Sequence, residues 1–157
     1  MRVSVQEADF DVGAETEALA AGRADVGAVA SFVGYVRADK LAGESAAEQA
    51  VSAMTLEHYP GMTEKSLEAI VAEAESRWSL LGVRVIHRFG RLVPGDRIVF
   101  VGVAGSHRGE AFAACEFIMD YLKTRAPFWK KEDTPEGGRW VDARDADDAA
   151  AEKWRQA

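Results

Sequence analysis

Six side chains could do chemistry on an anion: Arg37, His107, Arg108, Lys123, Lys130 and Lys131. The chain has a formal net charge of -7, yet Glu116–Glu132 (EFIMDYLKTRAPFWKKE) gathers Lys123, Arg125, Lys130 and Lys131 within nine residues. A local inversion of sign of this kind suits a phosphate or a carboxylate held by charge-assisted hydrogen bonds. His107 and Arg108 follow Ser106 where a helix is expected to begin. Free backbone N–H groups and the positive end of the helix dipole favour an anion there, and disfavour a cation that lacks one. Arg37 ends a strand at the mouth of a small, polar stretch. Each residue also has a plainer reading. Lysines near a helix C-terminus complement its dipole, and Arg37 is a solvated strand-end charge. Asp120 is either an orienting partner for Lys123 or an ordinary salt pair within the helix.

The elements that must carry these residues follow from periodicity. Pro127 ends a helix and pushes the residue before it out of the α region, so an extended segment restarts at Phe128. Lys123 and Lys130 can then reach one pocket from two elements. The helix itself starts after Ser106, a good N-cap, with a buried stripe of Ala111, Phe112, Cys115, Ile118, Met119 and Leu122. A second long helix spans Pro60–Ser79, its apolar face Leu67, Ile70, Val71, Ala74 and Trp78. A shorter one covers Val12–Ala21, with Gly22 as its stop. Alternation predicts strands at Arg2–Gln6, at Gly27–Arg37 with a bulge at Gly34, and at Val51–Tyr59, which is expected to pair with the strand before it. Val83–Leu92 and Arg97–Ala104 form a hairpin over Val93-Pro94-Gly95-Asp96. Phe128–Glu132 and Arg139–Val141 flank a final turn. Ala38–Ala50 reads as a mobile loop, and the tail 143–157 as a terminal helix or a frayed end. The sum is a single α+β domain over residues 1–157: a largely antiparallel sheet packed with two long helices, plus a C-terminal hairpin.

Composition narrows the function. A chain of 157 residues, 48% apolar, buries a real core. No run reaches the ~18 apolar residues of a membrane span. The N-terminal residues lack the apolar core of a signal peptide. The lone Cys115 excludes an intrachain disulfide framework and fits a reducing cytoplasm, and its apolar setting makes it a poor catalytic thiol. With 26 acids against 19 bases, nucleic-acid binding over a broad surface is not expected. His58 and His87 show no zinc-ligand spacing, and no phosphate-binding glycine motif is present. Trp129 and Trp140 are wall residues for a flat ring or, more often in such positions, core.

The runs TLEHYPGMTEKSLEAI, VIHRFGRLVPGDRIVFVGV, SHRGEAF, FIMDYLKTRAPFWKKE and EGGRWVDAR resemble the family of large, catalytic subunits of molybdopterin synthase, from about Gly27 to Trp154. The resemblance implies that family's hammerhead-like α/β fold. It also implies sulfur transfer to cyclic pyranopterin monophosphate, forming the dithiolene of molybdopterin in molybdenum cofactor biosynthesis. The sulfur arrives as a thiocarboxylate on the C-terminal Gly-Gly of a small ubiquitin-like partner subunit. Two large subunits form a homodimer within a heterotetramer, and the transfer requires no cofactor or metal. Carried over by position, substrate-binding residues fall on Arg37, His107, Arg108, Lys123, Lys130 and Lys131, with Arg144 reaching across the dimer. Lys123 and Lys130 take the catalytic roles. Tyr35 stands where the family often has a basic residue, and the 38–50 loop is longer than in close relatives. A competing reading is a non-catalytic docking module for a ubiquitin-like tail. Another is a small enzyme acting on a phosphoryl ligand, unrelated to sulfur.

Overall fold

Strand register divides the described residues into two four-stranded sheets. A computed structural model describes residues 2–38, 53–134, 137–141 and 145–155. The first sheet contains β1 (Val3–Gln6), β2 (Ala28–Tyr35), β4 (Leu80–Arg88) and β6 (Arg97–Gly105), in the order β1-β4-β6-β2. Its pairings are antiparallel except that β1 runs parallel to β4. The second contains β3 (Ala53–His58), β5 (Gly90–Leu92), β7 (Phe128–Thr134) and β8 (Gly137–Val141), in the order β5-β3-β7-β8. Every pairing in it is antiparallel. The expected bulge in β2 is present, as a register shift between Gly34 and Tyr35.

Two strand expectations need correction. Val83–Leu92 is not one strand, because it breaks at Gly90, whose φ of 91° turns the chain from the first sheet into the second. The segment read as Val51–Tyr59 does not pair with the strand before it; β3 lies between β5 and β7. Alternation identifies a strand but not its partner, and the long 38–50 stretch removes the tight turn that would have fixed one. That stretch, read from sequence as a loop, lies outside the described residues apart from Ala38. The turn after β5 forms as expected: Val93 N–H donates to Asp96 Oδ2 at 2.9 Å, and Gly95 takes a φ of 94°.

Helix α1 (Val12–Ala18) is capped by Asp11, which accepts from Ala14 N–H at 2.9 Å. Helix α2 (Met62–Arg77) starts at Gly61, whose N–H is taken by Glu64 Oε2, and buries Leu67, Ile70, Val71 and Ala74. Helix α3 (Arg108–Arg125) lies across β6 and β2 in the main core. The sequence placed its cap at Ser106. The helix begins one residue later, with extended His107 at the cap position and no side-chain cap bond. Its buried face is also wider than expected, taking in Ala114, Phe117 and Tyr121, while Phe112 is 65% exposed. The reason is α4 (Asp145–Glu152) and the turn after it. Trp154 packs edge-on against Phe117 and Trp78, so a side of α3 that sequence alone leaves open is covered.

Candidate functional site

The direction of α3 fixes where its charges lie. Ala111 sits beside Gly105 at the end of β6, and the Cys115 thiol points to the Val101 carbonyl at 3.7 Å. The helix therefore runs antiparallel to β6, and its last turn, with Lys123, lies over the start of that strand. Val99, near that start, pairs with His87 of β4. Ala126 then adopts extended geometry (φ -79°, ψ 130°), and the chain enters β7 as the Pro127 break predicts. Side chains alternate along β7, so Phe128 and Lys130 share one face while Trp129 and Lys131 take the other.

Phe128 marks what Lys130 faces. Its ring stacks on the His87 imidazole, with centroids 3.7 Å apart and planes 19° from parallel. His87 is buried, and its Nδ1 lies 2.8 Å from the Arg88 carbonyl, which can only accept; the ring proton is therefore on Nδ1. Burial, followed by the charges of Lys123, Lys130 and His58, pushes the His87 pKa down to about 3, against the pull of the Arg88 carbonyl. Two ammonium groups from different elements thus act on one neutral ring. Lys123 is exposed and Lys130 half-buried. Sequence reasoning passed over His87. Its one signal was a polar residue following two apolar ones, Val85 and Ile86, in a strand buried on both faces.

Other expected residues fall elsewhere. Arg37 is exposed two residues beyond β2, at the same end of the first sheet as Lys123. His107 and Arg108 are exposed at the opposite end, and fifteen residues of helix put Arg108 about 22 Å from Lys123. Within one chain, His107 and Arg108 therefore do not join Lys123 and Arg37 in a single pocket, because a continuous helix holds the two pairs apart. Lys131 is exposed on the face of β7 away from Lys130. Arg144 lies outside the described residues. Asp120 does not orient Lys123: it accepts from the Trp154 indole at 2.7 Å and approaches Lys153 at 3.5 Å. Arg125 is occupied by the Tyr121 ring at 3.7 Å and by Glu73 at 3.3 Å. Trp129 and Trp140 are not core, being 48% and 57% exposed on the outer side of the second sheet. Burial raises the Cys115 thiol to about 11, which leaves it a packing residue.

A family model described as the MoaE protein matches residues 5–125. The chain belongs to the MoaE family. It is similar to the molybdopterin synthase catalytic subunit of Ralstonia nicotianae, 62% identical over 152 residues, covering 97% of this chain and 83% of that protein. It is similar in structure to the MoaE protein of Burkholderia ambifaria, with 55% identity, a TM-score of 0.80, and coverage of 98% and 97% of the two chains. A chain from Helicobacter pylori shares the fold at 19% identity, with a TM-score of 0.71 over 90% and 91% of the two chains. As a MoaE protein the chain is an enzyme subunit, and its activity is sulfur transfer in molybdenum cofactor biosynthesis. Among the described residues, no helix is long and apolar enough to cross a membrane.

Proposed function

We propose that the end of the first sheet carrying Lys123 and Lys130 is where this MoaE chain transfers sulfur from a partner's C-terminal thiocarboxylate to cyclic pyranopterin monophosphate. The observation that supports it is the convergence of two elements on one place. Lys130 shares a face of β7 with Phe128, whose ring stacks on buried His87, and the last turn of α3, with Lys123, lies over the same end of the first sheet. A thiocarboxylate is already a nucleophile, so the site requires no serine or cysteine of its own. It must hold two anions, the tail and the substrate phosphate, which repel each other. Lys123 and Lys130 screen the tail and manage protons, and Arg37, at the same end of the first sheet, contributes to holding the phosphate. The partner is a small ubiquitin-like subunit. In support, the Helicobacter pylori chain of the same fold belongs to a complex of subunits 1 and 2 of molybdopterin-converting factor.

His107 and Arg108 enter this reading through a second copy of the chain. Because α3 holds them at the far end of their own subunit, they serve the site of the other subunit in a homodimer, the role the family resemblance also implies for Arg144. A two-fold axis would make two equivalent composite sites. The single reduced cysteine and the family's biosynthetic role support work in the cytoplasm.

The decisive experiment mixes the purified chain with thiocarboxylated partner and cyclic pyranopterin monophosphate. Molybdopterin should appear, and the chain alone with inorganic sulfide should produce none. Turnover with sulfide alone, or binding of the tail without product, would overturn the proposal; the second outcome would leave a docking module.

A further inference from the structure

The two lysines of the site belong to different sheets. Lys123 rides on α3, which packs on the first sheet, and Lys130 is part of the second. The chain crosses between the sheets at Phe89 and Gly90, two residues after His87. Four rings fill this junction. His87 of the first sheet lies flat on Phe128 of the second, and His58 of the second stands 4.3 Å from Phe89. His58 and Phe128 are themselves opposite each other in register.

His87 is fixed on two sides within this cluster. Its Nδ1–H is given to the carbonyl of Arg88, and its face is given to Phe128. The groups whose charge reaches it are Lys123 from α3, Lys130 from β7 and His58 from β3. All three oppose a positive ring, and burial does so first. A group kept uncharged beside two lysines is neither their counter-ion nor their proton acceptor at working pH. Its remaining contribution is mechanical. Phe128 is two residues from Lys130 on the same face of β7, so whatever holds the Phe128 ring holds the root of that lysine.

We propose that His87 is a positioning residue for the sulfur transfer, the joint that holds the strand of Lys130 at a fixed place relative to the helix of Lys123 through its stack on Phe128. This rests on the lysines being the working groups, as proposed above. Misplacement by about 1 Å costs up to roughly 10²-fold in rate, so a loosened joint shows in kcat before it shows in binding.

The test compares His87→Phe, His87→Ala and Phe128→Leu with wild type, using thiocarboxylated partner and precursor at saturation. His87→Phe keeps a flat ring on Phe128 and should hold kcat within about threefold of wild type. His87→Ala and Phe128→Leu should each lower kcat by about 10–100-fold with KM for the precursor nearly unchanged. Val85→Ala, a cavity on the same strand without a ring stack, supplies the control. It should lose thermal stability comparably and keep its kcat. Wild-type kcat in His87→Ala overturns the proposal. So does a loss in His87→Phe as large as in His87→Ala, since the ring nitrogens would then matter rather than the stack. Proton NMR of the wild-type chain gives an activity-independent check: the His87 ring protons should be shifted upfield by Phe128, and ordinary positions would overturn the stack in solution. An inactive wild type with shifted ring protons would instead count against the assignment of the reaction.

Discussion

The indole N–H of Trp154 donates to Asp120 Oδ2 at 2.7 Å, joining the C-terminal segment to the middle of α3. The same indole packs on Phe117 and Trp78, Lys153 pairs with Glu116, and Arg77 holds the Trp154 carbonyl at 2.9 Å. Trp154→Phe keeps most of the packing and should cost about 1 kcal/mol, one hydrogen bond. Trp154→Ala opens a half-buried cavity and should cost about 2–3 kcal/mol. Urea unfolding measures both, and an unchanged midpoint in Trp154→Ala would show that the tail does not hold α3.

Lys123 should be sensitive to more than its charge. Losing a charge-assisted contact to a bound anion costs about 1.5–3 kcal/mol, and a lysine that only bound ligand would show this in KM. A lysine that also handles protons should lose a further 10²–10⁴-fold, roughly, in kcat. Lys123→Arg keeps the charge but holds its proton at any working pH, so kcat should fall to near the Lys123→Ala level. A near-normal kcat in Lys123→Arg would reduce the residue to an electrostatic clamp.

Two inactive variants should rescue each other. In a mixed dimer of Arg108→Ala and Lys123→Ala, one of the two composite sites has both residues intact. Random re-pairing after mild dissociation should then restore about a quarter of wild-type activity, as two-fold symmetry requires. No recovery, with exchange verified by mass spectrometry, would place His107 and Arg108 outside the site.

His87 carries a sign that acid can read. Its pKa is about 3 folded, against 6.5 for an unperturbed imidazole, so between these values the unfolded chain binds a proton the folded one refuses. Stability then rises with pH across that window and is fully present above it. On acidification from pH 6.5 the chain should lose up to about 1.4 kcal/mol per pH unit from this residue. His87→Phe should show a shallower loss between pH 6 and 5, where few carboxylates yet titrate. Parallel stability curves for the two proteins would count against a neutral buried ring.

Much of this was legible in the residues themselves. The 3.6-residue period located both long helices to within about two residues, Pro127 marked the step from α3 to β7, and Val93-Pro94-Gly95-Asp96 gave its turn. What escaped was whatever depends on distant covering. Phe112 and Phe117 are equally apolar, and only distant residues, Arg77 and Trp78 at the end of α2 together with Trp154, decide which is buried. Strand partners escaped for a similar reason, since β3 matches β5 and β7 through pairings that no short turn announces. At the site, the lysines were visible as a charge inversion in an acidic chain. His87 was not, because a histidine in a strand has no local signature until Phe128 is laid upon it.

The parallel pairing of β1 with β4 sets the order of synthesis against the order of assembly. Val3, Val5 and their neighbours are made well before their partners Val85 to Arg88, about eighty residues separating them. At roughly 5–20 residues per second, the first strand waits several seconds as an unpaired apolar segment. Two devices then secure it: the ladder to β4, and Arg2, which reaches Glu68 and Glu75 on α2. Both partners come from further along the chain, so β1 remains open to chaperones or misfolding until those later segments have folded.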